Sequence, residues 1–411
     1  MPLRSPNRAR LDAPRSIQTI RKLHTHPVMP EGRCACSDGD KDAAAAIARA
    51  VEAVPALAGG TATALTGGIS NTMYLVSAPA AAASEQDGAL LVRFYGVGLP
   101  LCERASEEEL VRKLSAAGVG AGICSTFGHG RVEQFLKNRR PVLPSEVLDL
   151  AAMIAPKVAQ LHNLSLNLPG RAPAEQQLAR WLAACPAHTP TVDMVALQAE
   201  VAGVSSLRPV AVLPQEKTIE RVLLERRLCH LDLFASNLLY SEAERDVVLI
   251  VIANLLLEPR TAYSRVAPGL PLRASGLPAS SAQDFEYAAE APCGLDLANH
   301  FSGATELIEG ATVTFDTRLY PAPEAQRRFL DAYLTARGLP RPAGHGDAYH
   351  FAMRLLVALA AEAELRWIVW GLLQAELSDT DFDYHDYAAQ RWRCFCTYKE
   401  WALTPFLGSL V

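Results

Sequence analysis

The chain has 411 residues, of which half are hydrophobic and one fifth are charged, a composition typical of a globular protein with room for two core-bearing lobes. Its formal net charge of −5 argues against a nucleic-acid-binding surface and is compatible with a cationic substrate. The longest apolar run, residues 247–257, is too short to cross a bilayer, so we expect no membrane span. Nine cysteines without metal-ligand spacing indicate reduced thiols in a cytoplasmic protein.

Residues 1–42 are rich in Arg, Pro and Ser and have no apolar periodicity, which predicts a disordered N-terminal extension. Their shortage of acids is also typical of an organelle transit peptide, and this alternative stays open. We therefore expect folded structure from residue 43 onward.

Residues 43–141 predict a small lobe built mainly from strands. After an alanine-rich helix, two strand-like runs are separated by Gly67 and Gly68, followed by Ser70 and Asn71. The tip of such a hairpin can bring backbone N–H groups against phosphate oxygens, although a glycine pair also marks an ordinary hairpin.

The next predicted strand, residues 89–96, carries Arg93 as the lone cation of an apolar run. A buried guanidinium needs an anionic partner. That partner is either a nucleotide phosphate or a structural carboxylate, and the residues alone leave both open.

A change of pattern after residue 141 predicts a second, larger lobe over residues 142–411. Long amphipathic helices replace the strand-like runs there. Apolar positions at helical spacing continue up to His162, a helix-end residue for which we expect a structural role.

The most informative stretch is LCHLDLFASNLLY, residues 228–240, in which apolar runs enclose a short polar turn. Phosphoryl transfer needs a carboxylate that accepts the attacking hydroxyl's proton, and a side-chain oxygen that holds a metal ion against the phosphates. Asp232 and Asn237 suit these two roles. Because Asp and Asn also cap ordinary turns, a second metal ligand is needed. Asp284 in the motif DFEY is the candidate, because an apolar run that ends in an acid and then an aromatic resembles the second metal site of kinase-like folds.

The segment between these two predicted metal ligands is unusual. Residues 251–283 are rich in Pro, Ala, Ser and Arg, and a structureless segment of this length is uncommon inside a compact domain. We expect an insertion that forms a surface loop. A retained intron is the alternative, because valine codons begin with GT and a glutamine codon can end in AG.

The C-terminal part combines predicted helices with paired aromatic residues. Trp367 and Trp370 stand three positions apart, as do Tyr384 and Tyr387, so each pair shares one helix face. Aromatic pairs at this spacing usually belong to a core. The alternative is an aromatic cage, in which ring faces hold a quaternary ammonium group.

Four stretches, CHLDLFASN, DFEYA, LDLANHF and WIVWGLLQA…FDYHDYA, resemble the choline/ethanolamine kinases, relatives of aminoglycoside phosphotransferases and protein kinases. The resemblance runs from about residue 60 to 395. It implies an α+β, bilobal, protein-kinase-like fold with a small N-terminal antiparallel-sheet lobe and a larger, mostly helical C-terminal lobe. It also implies ATP-dependent phosphorylation of choline to phosphocholine with Mg²⁺, the first step of CDP-choline phospholipid synthesis, and is compatible with a homodimer.

Carried over residue by residue, the resemblance makes Asp232 the catalytic base and a substrate contact, and Asn237 and Asp284 the metal ligands. The residues that it assigns to the nucleotide are Gly68, Ser70, Asn71, Arg93, Gln134, Phe135 and Leu136. Those that it assigns to the substrate pocket are Tyr287, Trp367, Trp370, Tyr384 and Tyr387.

Two positions depart from the family pattern. Leu231 replaces the Asn that usually stands between the His and the Asp, and Ser302 and Gly303 occupy the place of an acid that usually follows NHF. Glu306 is the nearest acid to that place. The rival interpretations are an ethanolamine kinase, a phosphotransferase for aminoglycosides or small sugars with an acid-lined pocket, and a non-catalytic pseudokinase that binds ATP without turnover.

Overall fold

The computed structural model describes residues 38–65, 71–79, 89–95, 104–128, 130–165, 172–250, 287–309, 312–342, 346–378 and 382–404. Residues 38–411 form one compact unit. Within the described part of the chain, a five-stranded sheet with two helices precedes a larger and mostly helical region. The predicted α+β class and its order of lobes are confirmed.

The small lobe is a five-stranded antiparallel sheet in the order β1-β2-β3-β5-β4. Its strands are β1 (Thr61–Leu65), β2 (Asn71–Ser77), β3 (Ala89–Tyr95), β4 (Ile123–Phe127) and β5 (Gly130–Gln134). Two helices accompany it, α1 (Asp38–Ala53) and α2 (Arg104–Ala116). Because successive strand residues face opposite sides, Val76, Val92 and Val132 fall on one side and are buried with Ala46 and Ala50 of α1.

The larger lobe contains eight helices within the described residues. They are α3 (Ala151–Asn163), α4 (Ala174–Ala184), α5 (Met194–Gly203), α6 (Pro214–Leu223), α7 (Cys293–Gly303), α8 (Pro323–Ala336), α9 (Asp347–Leu377) and α10 (Tyr384–Leu403). The 31 residues of α9 are buried over most of their length, since the helix is apolar on nearly every face and packs against α10 and α7. No helix among the described residues is long and apolar enough to cross a membrane.

Short strands connect these helices and bring distant segments together. They are β6 (Arg140–Pro141), β7 (Arg226–Cys229), β8 (Leu238–Ser241), β9 (Asp246–Leu249), β10 (Ala289–Pro292), β11 (Glu306–Glu309) and β12 (Thr312–Phe315). β7 pairs with β10, and β8 pairs with both β6 and β9. The stretch 228–240 therefore begins on one small sheet and ends on another.

The chain passes between the lobes at residues 135–139. β5 ends at Gln134, still in the small lobe's sheet, whereas Arg140 of β6 already pairs with Tyr240 of β8. Phe135 and Leu136 pack against a cluster that includes Leu239 of the larger lobe. The domain limits at residues 42 and 141, and the insertion over 251–283, stay predictions.

Candidate active site

The predicted base and the predicted metal ligand meet in the turn between β7 and β8. The Asn237 side-chain N–H group donates 2.8 Å hydrogen bonds both to the backbone oxygen of Asp232 and to its carboxylate oxygen Oδ2. Residues 235–237 form one helical turn, and the Asn237 N–H donates to the Phe234 oxygen at 3.0 Å. This local geometry holds the two side chains together at a spacing of five residues.

Two oxygens of this pair have no hydrogen-bond partner within the described chain. Asp232 Oδ1 and Asn237 Oδ1 are both buried, although a buried acceptor without a partner is costly. Because the Asn237 amide nitrogen is fixed by Asp232, its oxygen must point away from the pair. A hard oxygen held in this way fits a Mg²⁺ ligand. The other predicted ligand, Asp284, lies outside the described residues.

The pKa of Asp232 lies well above its ordinary value. Burial is the main cause, and the nearby Glu306 charge adds to it, while the Asn237 hydrogen bond and the charges of Arg391 and Arg366 act in the opposite direction. A carboxylate that accepts a proton at near-neutral pH works best when its pKa is raised toward the working pH. The environment of Asp232 therefore suits a general base.

The side chain of Asp296, on α7, holds the backbone of this turn. Its two oxygens accept 2.7 Å hydrogen bonds from the backbone N–H groups of His230 and Leu231. Leu231 has φ +61°, which lies in the left-handed region. A residue with a branched side chain adopts this conformation only at a cost in energy. The two hydrogen bonds that this one carboxylate accepts thus hold the strained residue Leu231 directly before the base.

Asp296 is in turn held by His162. The His162 ring contacts Asp296 Oδ2 through Nε2 at 3.1 Å and the Tyr333 hydroxyl through Nδ1 at 2.8 Å. Although burial acts to raise it, the pKa of Asp296 is lowered by the hydrogen bond and charge of His162 and by the Leu231 N–H. His162 lies in the last turn of α3, as expected; its structural role stays a prediction. We did not predict Asp296, although an acid inside the apolar run LDLANHF could have indicated it.

The five predicted pocket aromatics form one cluster. Trp370 lies at the centre, with ring centroids 5.7 Å from Tyr384, 5.6 Å from Tyr387 and 5.7 Å from Trp367. Its N–H donates a 2.7 Å hydrogen bond to the Tyr287 hydroxyl. All five side chains are buried and the ring contacts are edge-to-face, a geometry that suits both a core and a cage. Their assignment to the substrate stays a prediction.

A buried arginine that we did not predict stands beside this cluster. The Arg391 guanidinium carbon lies 4.0 Å from the ring centroid of Phe315, 5.1 Å from Tyr387 and 5.2 Å from Phe234. Arg391 Nη1 is 3.3 Å from both carboxylate oxygens of Glu364, which is fully buried on α9. The spacing of four between Tyr387 and Arg391 places them on one helix face and was the available signal.

In the small lobe, the structure supplies Arg93 with a carboxylate. Arg93 Nε donates to Glu133 Oε1 at 2.9 Å, and Arg131 Nε donates to the same oxygen at 2.6 Å. All three side chains are buried, and the two arginines lower the pKa of Glu133 against the effect of burial. Of the two partners left open for Arg93, the structural carboxylate is therefore observed. A phosphate contact stays a prediction.

The structure describes only some of the other residues that were predicted to contact the nucleotide. Gly68 and Ser70 lie outside the described residues, and Asn71 begins β2 with a side chain that is also outside them. Gln134 is exposed, and its backbone N–H donates to the Gly122 oxygen at 2.8 Å. Adenine contacts at the lobe junction would therefore come from the backbone of Phe135 or Leu136 and not from the Gln134 N–H.

A small antiparallel lobe, joined to a helical lobe that presents Asp232 and Asn237 in one buried turn, defines a phosphotransferase with a protein-kinase-like fold. The family model described as "Choline/ethanolamine kinase" matches residues 62–252 and 281–396. This match spans well over half of the chain, so the chain belongs to the choline/ethanolamine kinase family and is a kinase that acts on choline or ethanolamine. The match leaves out residues 253–280, inside the predicted insertion.

Named relatives are similar over most of their length. "Probable choline kinase 1" of Arabidopsis thaliana is 24% identical over 353 residues, which are 84% of this chain and 86% of the relative. "Probable ethanolamine kinase" of the same plant is 24% identical over 377 residues, 84% of this chain and 80% of the relative. The crystal structure of choline kinase from Cryptosporidium parvum superposes with a TM-score of 0.64 at 16% identity, covering 83% and 89% of the two chains. At that identity, the structural likeness shows the fold alone.

Proposed function

We propose that this kinase transfers the γ-phosphoryl group of Mg-ATP to the hydroxyl of choline, with ethanolamine as the close alternative substrate. The observation that carries the proposal is the Asp232–Asn237 pair, which leaves one oxygen of each side chain buried and without a partner in the described chain. Two such oxygens, in a turn whose Phe234 ring lies 5.3 Å from the Trp367 ring of the aromatic cluster, suit a hydroxyl donor on one side and a metal-bound phosphate on the other.

In this mechanism, Asp232 Oδ1 accepts the hydrogen bond, and then the proton, of the attacking hydroxyl. Asn237 donates to Asp232 Oδ2 and so keeps Oδ1 directed toward the substrate. Asn237 Oδ1 and Asp284 would hold Mg²⁺, which neutralises charge on the phosphates when bound. The strained turn at Leu231, held by Asp296, positions the base before the substrate arrives.

The aromatic cluster favours choline over ethanolamine. A trimethylammonium group has no N–H to donate and is recognised through ring faces and a negative potential, whereas a primary ammonium needs acceptors for three N–H groups. Trp370, Tyr384 and Tyr387 belong to the same ring cluster as Trp367, whose ring centroid lies 5.3 Å from that of Phe234 in the turn. They supply the ring faces, as the two tyrosines of the C-terminal stretch lead us to expect. The cytoplasmic location and the homodimer stay predictions.

The test is ATP turnover with choline, ethanolamine and kanamycin in parallel, with the phosphorylated product identified by mass spectrometry. We expect turnover with both amino alcohols, a higher kcat/KM for choline, and none with kanamycin. The same assay on a variant lacking residues 251–283 tests the insertion, which we expect to be dispensable. Binding of ATP with no turnover of any alcohol would instead indicate a pseudokinase.

A further inference from the structure

Three residues of α7 face the turn that holds Asp232. Asp296 and His300 stand four positions apart and Gly303 follows three positions later, so they share one helix face. Asp296 accepts hydrogen bonds from the backbone of the turn before the base. His300 and Gly303 contact the residues that follow the base. The helix therefore lies along the turn on both sides of Asp232.

The contact of His300 is a hydrogen bond to the backbone. Its Nδ1 lies 3.0 Å from the carbonyl oxygen of Leu233, the residue directly after Asp232. Because a carbonyl oxygen only accepts, Nδ1 carries the proton and donates it. The ring is buried, and its Nε2 has no hydrogen-bond partner within the described chain. Burial lowers the pKa of His300 to about 4, so the ring is neutral and offers one N–H group.

The carbonyl oxygens of residues 232–234 each accept a hydrogen bond. The Asn237 side chain donates to the Asp232 oxygen at 2.8 Å, and the Asn237 backbone N–H group donates to the Phe234 oxygen at 3.0 Å. Both of these donors belong to the turn itself and move with it. Of the three donors, only His300 belongs to another element. It therefore fixes the turn to α7 on the side that follows the base.

Close packing of α7 on the turn continues at Gly303. A Cβ atom at this position would overlap the ring of Phe234, so a larger residue does not fit there without a shift of that ring. The opposite neighbour of Phe234 is Trp367, whose ring centroid lies 5.3 Å away. The turn is thus confined by a directional hydrogen bond at Leu233 and by ring packing at the next residue.

We propose that His300 is a positioning residue for phosphoryl transfer: its Nδ1–H group holds the Leu233 carbonyl and so fixes the direction in which Asp232 and Asn237 present their oxygens. This inference rests on the roles that the proposed function gives to these two side chains. A misplacement of reacting groups by about 1 Å can lower a rate about a hundredfold. Because His300 acts through the backbone of the turn, its loss should lower kcat and leave ATP binding intact.

The alternative role for His300 is packing alone. Its ring centroid lies 5.1 Å from that of Phe329 and 6.2 Å from that of Phe301. Two substitutions separate the ring from the donor. His300→Phe keeps a ring and removes the N–H group, whereas His300→Asn removes the ring and keeps an amide N–H group close to the position of Nδ1.

The experiment measures kcat with choline, the KM for ATP and the urea midpoint of unfolding for the two variants. In His300→Phe we expect kcat to fall about tenfold to a hundredfold, with the KM for ATP within about twofold of the wild type. His300→Asn should have the higher kcat of the two variants although it has the lower urea midpoint, because it keeps the donor and loses the ring. A wild-type kcat in His300→Phe, or the opposite order of kcat, would overturn the inference.

The matched control is Gln326→Met on α8. Gln326 is also buried and donates from its side chain to a backbone carbonyl, that of Pro321, at 2.7 Å. Removing this hydrogen bond should leave kcat unchanged, and a fall as large as that in His300→Phe would contradict a specific role for His300. Should His300→Phe fail to fold, His300→Asn is compared with His300→Gln, whose amide reaches the place of Nε2 instead. Equal kcat values for those two variants would refute the inference.

Calorimetric binding of ATP, with and without Mg²⁺, tests the same inference without turnover. Because Asn237 Oδ1 is a proposed metal ligand, the gain in ATP affinity on adding Mg²⁺ should be smaller in His300→Phe than in the wild type, with the metal-free affinity unchanged. An equal gain in the two proteins would overturn the inference. A wild type that phosphorylates neither choline nor ethanolamine would overturn the proposed function instead, and the Mg²⁺ measurement then decides the role of His300.

Discussion

Replacing Asp296 tests whether the strained turn before the base is held by one carboxylate. In Asp296→Asn, the single amide oxygen can accept from only one of the two N–H groups of His230 and Leu231, and the amide nitrogen would face the other as a second donor. Loss of one hydrogen bond to a charged group costs about 1.5–3 kcal/mol. Breaking a buried ion pair costs about 3–5 kcal/mol. Because His162 can release its proton, most of the ion-pair cost is avoided, and we expect a total of about 3 kcal/mol, the upper end of the hydrogen-bond range.

The assay is urea unfolding together with kcat for choline. The free energy of unfolding should fall by about 3 kcal/mol. The fold decrease in kcat should exceed the fold increase in the KM for ATP, because Leu231, which the substitution displaces, adjoins the base Asp232. Asp316→Asn is the matched control, since that partly exposed aspartate caps the short turn Thr317–Leu319 and its substitution should cost no more than about 1 kcal/mol without affecting kcat. An Asp296→Asn variant with wild-type stability and kcat would show that the carboxylate does not hold the turn.

The pH dependence of stability provides a second measurement on Asp296. The pKa of this carboxyl is lowered in the folded protein, so its stabilisation is complete above the ordinary carboxyl range and is lost as the pH falls through the folded-state value. Wild-type stability should therefore decline more steeply on acidification than that of Asp296→Asn. Parallel curves for the two proteins would contradict the assigned ion pair.

Three further predictions concern the proposed chemistry. Asp232→Asn should lower kcat by at least about a hundredfold with the fold intact, and a well-folded, active variant would refute its role as base. Since burial raises the pKa of Asp232, the acidic limb of kcat/KM should lie above the ordinary carboxyl range, and a limb near pH 4 would contradict this. Trp370→Leu should raise the choline KM about ten- to thirtyfold, as the loss of a desolvated cation–π contact implies. The KM for ethanolamine should rise less, and the KM for ATP should not change. Equal increases in the KM for choline and for ATP would mean that the Trp370 ring belongs to the core.

Local patterns in the sequence were sufficient to predict helices and strands and to identify the residues of the turn that holds Asp232 and Asn237. The apolar run in residues 89–96 predicted β3, and the helical spacing that ends at His162 predicted the end of α3 at Asn163. Asp232 and Asn237 stand five residues apart, so a turn alone brings them together. These features depend on neighbours along the chain, which is why periodicity and turn chemistry could reveal them.

The partners of buried charges were decided only by the tertiary structure. Arg93 could have met a phosphate or a carboxylate, and the pairing of β3 with β5 placed Glu133 beside it. Asp296 reaches the turn because β10 pairs with β7, and Arg391 meets Glu364 because α10 packs along α9. Each of these contacts joins residues that are far apart in the chain. A buried charge is stable only where folding brings an opposite charge or a donor to it, and no local pattern specifies which residue that is.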